Sequence, residues 1–151
     1  MNSLYPDTFK DIVRFSLRPI GKWSVEAENI LFMIAAHESL LGKELKQING
    51  PALGLYGMEP DTLFDLYKTY LVRKPGYVKD IVRMTGVTEP SLEHLQFNPV
   101  YSTVIARIKL LRDSAPLPTD VPTMAVYAKR VWNGTGKATP EKYISAYFSF
   151  L

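Results

Sequence analysis

The sequence predicts a mainly α-helical (α+β) fold in a single domain that spans residues 1–151. A length of 151 residues suits one domain. Hydrophobic residues make up 46% of the chain and charged residues 22%, which is an ordinary globular balance. Between capping residues, apolar side chains recur at helical spacing along most of the sequence.

The N-terminal third contains two predicted helices. Asp7 is expected to cap a short helix that ends before Pro19, and Ser24 is expected to cap the next one. Acidic residues in the first turns of the second helix interact favourably with the positive end of its dipole. Its apolar stripe consists of Ala27, Leu31, Ile34 and Leu41. Gly42 is the predicted stop of this helix.

Residues 42–59 form a predicted loop of about 17 residues. Structureless loops of this length are uncommon in compact domains and are often functional. Glycines at positions 50, 54 and 57 leave room for a small hairpin within it.

The remaining chain is predicted to be helical, with short connectors. The expected elements are a helix that begins at Pro60 or Asp61, a shorter helix near 77–84, a turn or short helix at 88–96, a helix that begins at Asn98-Pro99, a helix at about 122–132, and a last helix capped by Thr139. No internal repeat interrupts this pattern.

Composition excludes several classes of site. The chain has no cysteine, which excludes disulfides and cysteine-based zinc sites. Its two histidines are far apart in sequence, so we expect no metal and no cofactor. The net charge of +3 comes from dispersed basic residues, which argues against a nucleic-acid partner. No apolar window reaches the length of about 18 residues that a membrane span needs. The N-terminus does not resemble a signal peptide, so we expect synthesis in the cytoplasm.

Glu38 falls on the apolar stripe, four residues after Ile34 and three before Leu41. It either reaches water or a basic partner, or it faces a cleft at the rim of the core. Partial desolvation raises the pKa of a carboxyl group, and the negative end of a helix dipole acts in the same direction. A carboxylic acid that keeps its proton is what a glycoside-cleaving enzyme needs. The neighbouring His37 is expected to point roughly 100° away.

Three short segments resemble motifs of lysozyme-like lytic transglycosylases. Glu38-Ser39 is similar to the Glu-Ser signature of that family. Gly54-Leu55-Tyr56-Gly57-Met58-Glu59-Pro60 matches its Gly-Leu-Met-Gln-x-Met-Pro motif at glycine, leucine and proline, but Gly57 stands where the family has glutamine. Val131-Trp132-Asn133-Gly134 is a weaker match to its Ala-Tyr-Asn-Ala-Gly segment. The overall resemblance, to small phage-encoded lysozyme-like proteins, covers most of the chain.

The resemblance implies a fold and a set of site residues. It implies a lysozyme-like fold in which residues 42–59 shape a substrate cleft, with Glu38 as the general acid and then the general base. Ser39 either orients Glu38 or caps exposed backbone. Glu59, or Asp61, is either a second carboxylate or a helix cap. The implied substrate-binding residues are Gly54, Leu55, Tyr56, Trp132 and Asn133. Tyr56 either stacks on a sugar ring or packs within the loop. Trp132 and Asn133 either line the cleft or end a helix, since Asn followed by Gly is a common helix stop.

The implied partner is the glycan strand of peptidoglycan, and phage tail or virion proteins are further candidates. The protein would then act at the bacterial cell wall or within the phage particle. The alternative function is a virion structural or wall-binding protein that keeps the fold with weak or no catalysis, and Gly57 is the residue that favours this alternative.

Overall fold

Eight α-helices make up most of this computed structural model, which describes residues 2–151. They are α1 (Pro6–Leu17), α2 (Val25–Ser39), α3 (Pro60–Asp65), α4 (Pro75–Thr85), α5 (Leu92–Phe97), α6 (Pro99–Arg112), α7 (Val121–Ala128) and α8 (Pro140–Ser149). Short 3₁₀ turns occupy Arg18–Ile20 and Leu71–Arg73, and π-helical turns extend α3 over Leu66–Tyr70 and α7 over Lys129–Asn133. Helix accounts for 65% of the chain, which confirms a mainly α-helical single domain.

Helix α2 lies at the centre of the domain. It packs against α1, α6, α7 and α8, and ten of its 15 residues are buried. A helix surrounded in this way is apolar on nearly all sides, so its burial extends well beyond the single stripe expected from the sequence. Each large aliphatic side chain removed from water here contributes about 1.5–3 kcal/mol to folding. The backbone of Glu38 therefore belongs to a firmly packed central helix.

Capping residues set the starts of three helices as predicted. Ser24, Asn98 and Thr139 accept side-chain hydrogen bonds from first-turn backbone N–H groups at 3.0 to 3.3 Å. These bonds satisfy donors that a helix leaves unpaired at its N-terminus. The prediction for Asp7 is wrong, because α1 begins at Pro6 and places the carboxylate in the first turn.

Helix α2 ends earlier than predicted. Its last residue is Ser39, and Leu40 and Leu41 follow with φ angles of 51° and 53°. This left-handed conformation costs leucine about 1–2 kcal/mol per residue. The complete burial of the Leu41 side chain offsets that cost. The chain therefore turns sharply just after Glu38, and Gly42 lies beyond the helix end.

Residues 42–59 form the predicted loop but contain no regular strand. The expected small hairpin is reduced to two isolated antiparallel bridges, which pair Lys46 with Leu53 and Leu53 with Met58. Gly54 has a φ of +82°, and a Cβ atom there would collide with the carbonyl oxygen of Leu95. The loop therefore rests directly on α5. No helix in residues 2–151 has both the length and the apolar character that crossing a membrane requires.

Candidate functional site

Glu38 lies in the last turn of α2 and lines a cleft with a volume of about 460 Å³. Its side chain keeps 17% of its surface exposed. Five parts of the chain line the cleft: the end of α2, the loop 42–59, Thr62 of α3, Lys109 of α6, and the segment that follows α7. Besides Glu38, its polar and aromatic lining includes Glu59, Lys109, Trp132, Asn133 and Lys137. The end of an apolar helix thus presents a carboxylate to a largely polar depression.

A side chain of α8 forms a hydrogen bond with one oxygen of the Glu38 carboxylate. The Tyr143 hydroxyl donates a hydrogen bond to Glu38 Oε1 at 2.9 Å, and the Tyr143 side chain is fully buried. Burial raises the pKa of Tyr143, and the negative charge of Glu38 adds to this effect. The phenol therefore keeps its proton and acts as a fixed donor.

The expectation that His37 points away from Glu38 is wrong for the imidazole ring. The Nδ1 atom of His37 lies 3.2 Å from Glu38 Oε1, and the ring centroid lies 4.4 Å from that of Tyr143. Adjacent Cα–Cβ bonds diverge by roughly 100° on a helix, but both side chains are long enough to converge beyond Cβ. His37 and Tyr143 thus contact the same carboxylate oxygen, Oε1.

Gly57 brings the loop backbone against the Glu38 side chain. Its φ is +60°, and a Cβ atom there would lie 2.9 Å from Glu38 Cβ and 3.0 Å from Oε2. Carbon atoms do not pack this closely, so position 57 accepts only glycine while Glu38 keeps its position. A glutamine, the residue of the resembled motif, does not fit here. The carboxylate is thus fixed through Oε1 and closely approached by the loop at Oε2.

Glu59 is a second carboxylate of the cleft. It is exposed and occupies the N-cap position of α3, but its side chain makes no capping hydrogen bond. Of the two interpretations that the sequence left open, side-chain capping is therefore not realised. Asp61 lies in the first turn of α3 and is exposed.

Trp132 and Asn133 lie on the π-helical turn after α7 and line the cleft. The Trp132 indole N–H donates a hydrogen bond to the Tyr56 carbonyl oxygen at 2.9 Å. Lys129 Nζ donates to Asn133 Oδ1 at 2.8 Å. These bonds join Trp132 to the loop and hold the Asn133 side chain, although only a short, weak motif indicated these residues in the sequence.

Four predicted site residues lie outside the cleft. Ser39 is fully buried; its hydroxyl lies 2.6 Å from the Leu55 carbonyl oxygen, to which it donates, and accepts from the Gly42 N–H. It therefore caps backbone and makes no hydrogen bond to Glu38. Gly54 contacts α5, and Leu55 is 2% exposed.

Tyr56 is the fourth of these residues. Its side chain is 1% exposed, and its hydroxyl lies 2.8 Å from Thr103 Oγ1. Burial raises the pKa of Tyr56. The ring belongs to the core and has no exposed face for a sugar. Only its backbone carbonyl supports the cleft, through Trp132.

Lys109 is a cleft residue that sequence reasoning missed. Its ammonium lies 4.3 Å from the centroid of the Trp132 ring and 3.3 Å from the Val131 carbonyl oxygen. Burial lowers its pKa to about 8, an effect that the negative charges of Glu38 and Glu59 partly oppose. The signal was its position between Ile108 and Leu110, in the last turn of a largely buried helix. Among the described residues, no three histidine, aspartate or glutamate side chains come together as a metal site.

Comparisons with known proteins found no relative of this chain. No protein family, no curated protein and no solved structure matches this chain. The similarity to lysozyme-like lytic transglycosylases therefore rests on the short motifs around Glu38, Gly57 and Trp132.

Proposed function

We propose that this chain is a peptidoglycan-cleaving glycosidase, of lytic transglycosylase or lysozyme type, in which Glu38 is the general acid and base. The observation that carries the proposal is the arrangement of one carboxylate. Glu38 Oε1 is held by Tyr143 and lies near His37, while the side chain lines a cleft beside Gly57. The motif resemblance supports the same residue independently of this arrangement.

The proposed chemistry needs two proton transfers at Glu38. Glu38 donates its proton to the glycosidic oxygen as the bond from that oxygen to the sugar C1 breaks. The carboxylate then accepts a proton from the group that attacks C1. In a transglycosylase that group is the 6-hydroxyl of the same sugar, which gives an anhydro product. In a hydrolase it is water, and Glu59 is the candidate for the second carboxylate.

Fixing Oε1 gives Glu38 a defined direction. Because Tyr143 donates to Oε1, Oε2 is the oxygen left to carry the transferable proton. Catalytic groups gain rate when neighbouring side chains hold their orientation before the substrate arrives. We assign Tyr143 and His37 to this positioning role.

The segment after α7 supplies contacts that suit amino sugars. Trp132 offers an aromatic surface of the kind that packs on the apolar face of a sugar ring. The Asn133 side chain can exchange hydrogen bonds with an acetamido group. The two residues precede an exposed glycine-containing turn, residues 134–137, that completes the cleft.

A second candidate is a phage particle protein that binds the cell wall without cleaving it. Gly57 favours it, because the cleft has no side chain at the position where the resembled family has glutamine. In either case we propose that the protein acts at the bacterial wall, at lysis or entry, as a phage product.

A dye-release assay on labelled peptidoglycan tests the proposal. A general acid contributes about 10²- to 10⁴-fold, so Glu38→Gln should lower release by at least about 100-fold. Glu89→Gln makes the same chemical change in an exposed loop outside the cleft and should release dye at the parent rate. Equal release by the parent and Glu38→Gln would refute the role of Glu38. Sedimentation with the wall, without any release, would favour the second candidate.

A further inference from the structure

Lys109 carries an ammonium group whose hydrogen-bonding capacity is largely unused. A lysine ammonium has three donors, and the protein supplies one acceptor, the Val131 carbonyl oxygen, at 3.3 Å. Among the described residues, no carboxylate forms an ion pair with it. The Trp132 ring, with its centroid 4.3 Å away, attracts the charge but supplies no oxygen acceptor. Withdrawing a cation from water while its donors lack acceptors is costly, so this arrangement indicates a ligand that supplies them.

The position of Lys109 suits an extended ligand. A shallow groove of about 290 Å³ adjoins the cleft, and Lys109 and Thr62 line both depressions. The other two cations of the groove are already neutralised: Arg112 pairs with Asp65, and Arg130 pairs with Asp113. Lys109 is therefore the cation at this junction that is free to bind an anion.

We propose that Lys109 binds a carboxylate of the glycan, so that the cleft prefers sugars carrying muramyl carboxylates to neutral amino sugars. This inference rests on the proposed function and deepens it by assigning a residue to substrate selection. The carboxylate belongs either to the lactyl group of a peptide-free strand or to the peptide stem of an intact one. A short ammonium–carboxylate hydrogen bond in a partly dry site gives both affinity and direction.

The electrostatic environment of Lys109 also favours a bound carboxylate. Its lowered pKa, about 8, means that the free protein stabilises the ammonium less well than water does. The groups that act on it are the carboxylates of Glu38 and Glu59 and the guanidinium of Arg112. A bound carboxylate supplies the missing negative charge. Affinity for acidic sugars should therefore fall as the pH rises from 6 to 9 and Lys109 loses its proton.

Calorimetric titration with matched sugars tests the inference. The protein is Glu38→Gln, which prevents turnover, with and without Lys109→Met, at pH 6. The ligands are neutral chitotetraose, a peptide-free tetrasaccharide of alternating N-acetylglucosamine and N-acetylmuramic acid, and the same tetrasaccharide with peptide stems. Lys79→Met, an exposed lysine on α4, provides the matched change in net charge.

Loss of a charged hydrogen bond should raise the Kd of an acidic sugar about 10- to 100-fold in Lys109→Met. The Kd of chitotetraose should stay unchanged, as should every Kd in Lys79→Met. A loss confined to the stem-bearing ligand places the carboxylate in the stem. A loss confined to the peptide-free ligand places it on the lactyl group, because that carboxyl is an uncharged amide once a stem is attached. A loss with both acidic ligands means that Lys109 binds either carboxylate. Equal losses for all three sugars, or no loss for any, would overturn the inference alone. If no sugar binds to the Glu38→Gln parent, the proposed function fails and the inference fails with it.

Discussion

Replacement of Gly57 by alanine tests the packing of the loop against Glu38. Two costs follow from the structure. A φ of +60° disfavours alanine by about 1–2 kcal/mol. The 2.9 Å approach to Glu38 Cβ adds an overpacking cost of about 1–3 kcal/mol. The smaller entropy of the unfolded alanine chain returns about 0.4–1 kcal/mol. The net expectation is a loss of about 1–4.5 kcal/mol in the free energy of unfolding.

Gly86→Ala is the matched control for this change. Gly86 has a similar φ of +72°, but no heavy atom lies within 4 Å of a Cβ built there. It therefore carries the backbone cost without the contact, and Gly57→Ala should be less stable than this control by about 1–3 kcal/mol. Urea titrations of both variants, extrapolated linearly, measure the difference. Equal losses would refute the close approach of Gly57 to Glu38. Under the proposed function, Gly57→Ala also loses activity, since the added carbon displaces the acid.

Three further changes have distinct expected results. Tyr143→Phe should lower the turnover rate about 10-fold in a dye-release assay, because Glu38 loses a charged hydrogen bond. Tyr147→Phe, on the same helix, should match the parent. Similar rates for the two variants would contradict the positioning role of Tyr143. Ser39→Ala leaves buried backbone groups unpaired and should cost about 2–4 kcal/mol in urea denaturation, and a loss below about 1 kcal/mol would contradict the backbone-capping role. Because the folded pKa of Lys109 is lowered to about 8 from 10.5, the unfolded chain binds more protons above pH 8. Stability should thus rise with pH by up to about 2 kcal/mol from pH 8 to 9.5, and Lys109→Met should remove this rise, as urea titrations at each pH will show.

Local chemistry made most of the helix starts predictable. A capping side chain followed by proline, as at Asn98, satisfies orphan N–H groups within a few residues, so the signal is readable from sequence alone. The end of α2 was less predictable. Two leucines in left-handed geometry violate the local preference. Burial of the Leu41 side chain and hydrogen bonds from Ser3 and Leu4 to the two leucine carbonyl groups stabilise them.

In the candidate site, too, residues with a local sequence signal were predictable and contacts between distant helices were not. Glu38 was readable because a carboxylate on an apolar stripe is unusual, and the structure brings it to a cleft. Its hydrogen bond from Tyr143 and its electrostatic interaction with Lys109 involve helices more than 70 residues away in sequence, and no local pattern indicates which distant side chains will lie beside it. Tyr56 shows the converse error: a tyrosine in a glycine-rich loop looks exposed, but the loop folds its ring into the core.

Mass spectrometry of the soluble products from purified peptidoglycan tests the proposed activity most directly. The parent protein should release muropeptides, ending in an anhydro sugar if the 6-hydroxyl attacks or in a reducing sugar if water attacks. Glu38→Gln should release neither. An absence of sugar products from the folded parent, or identical spectra from the parent and Glu38→Gln, would contradict the proposal that Glu38 cleaves the glycan.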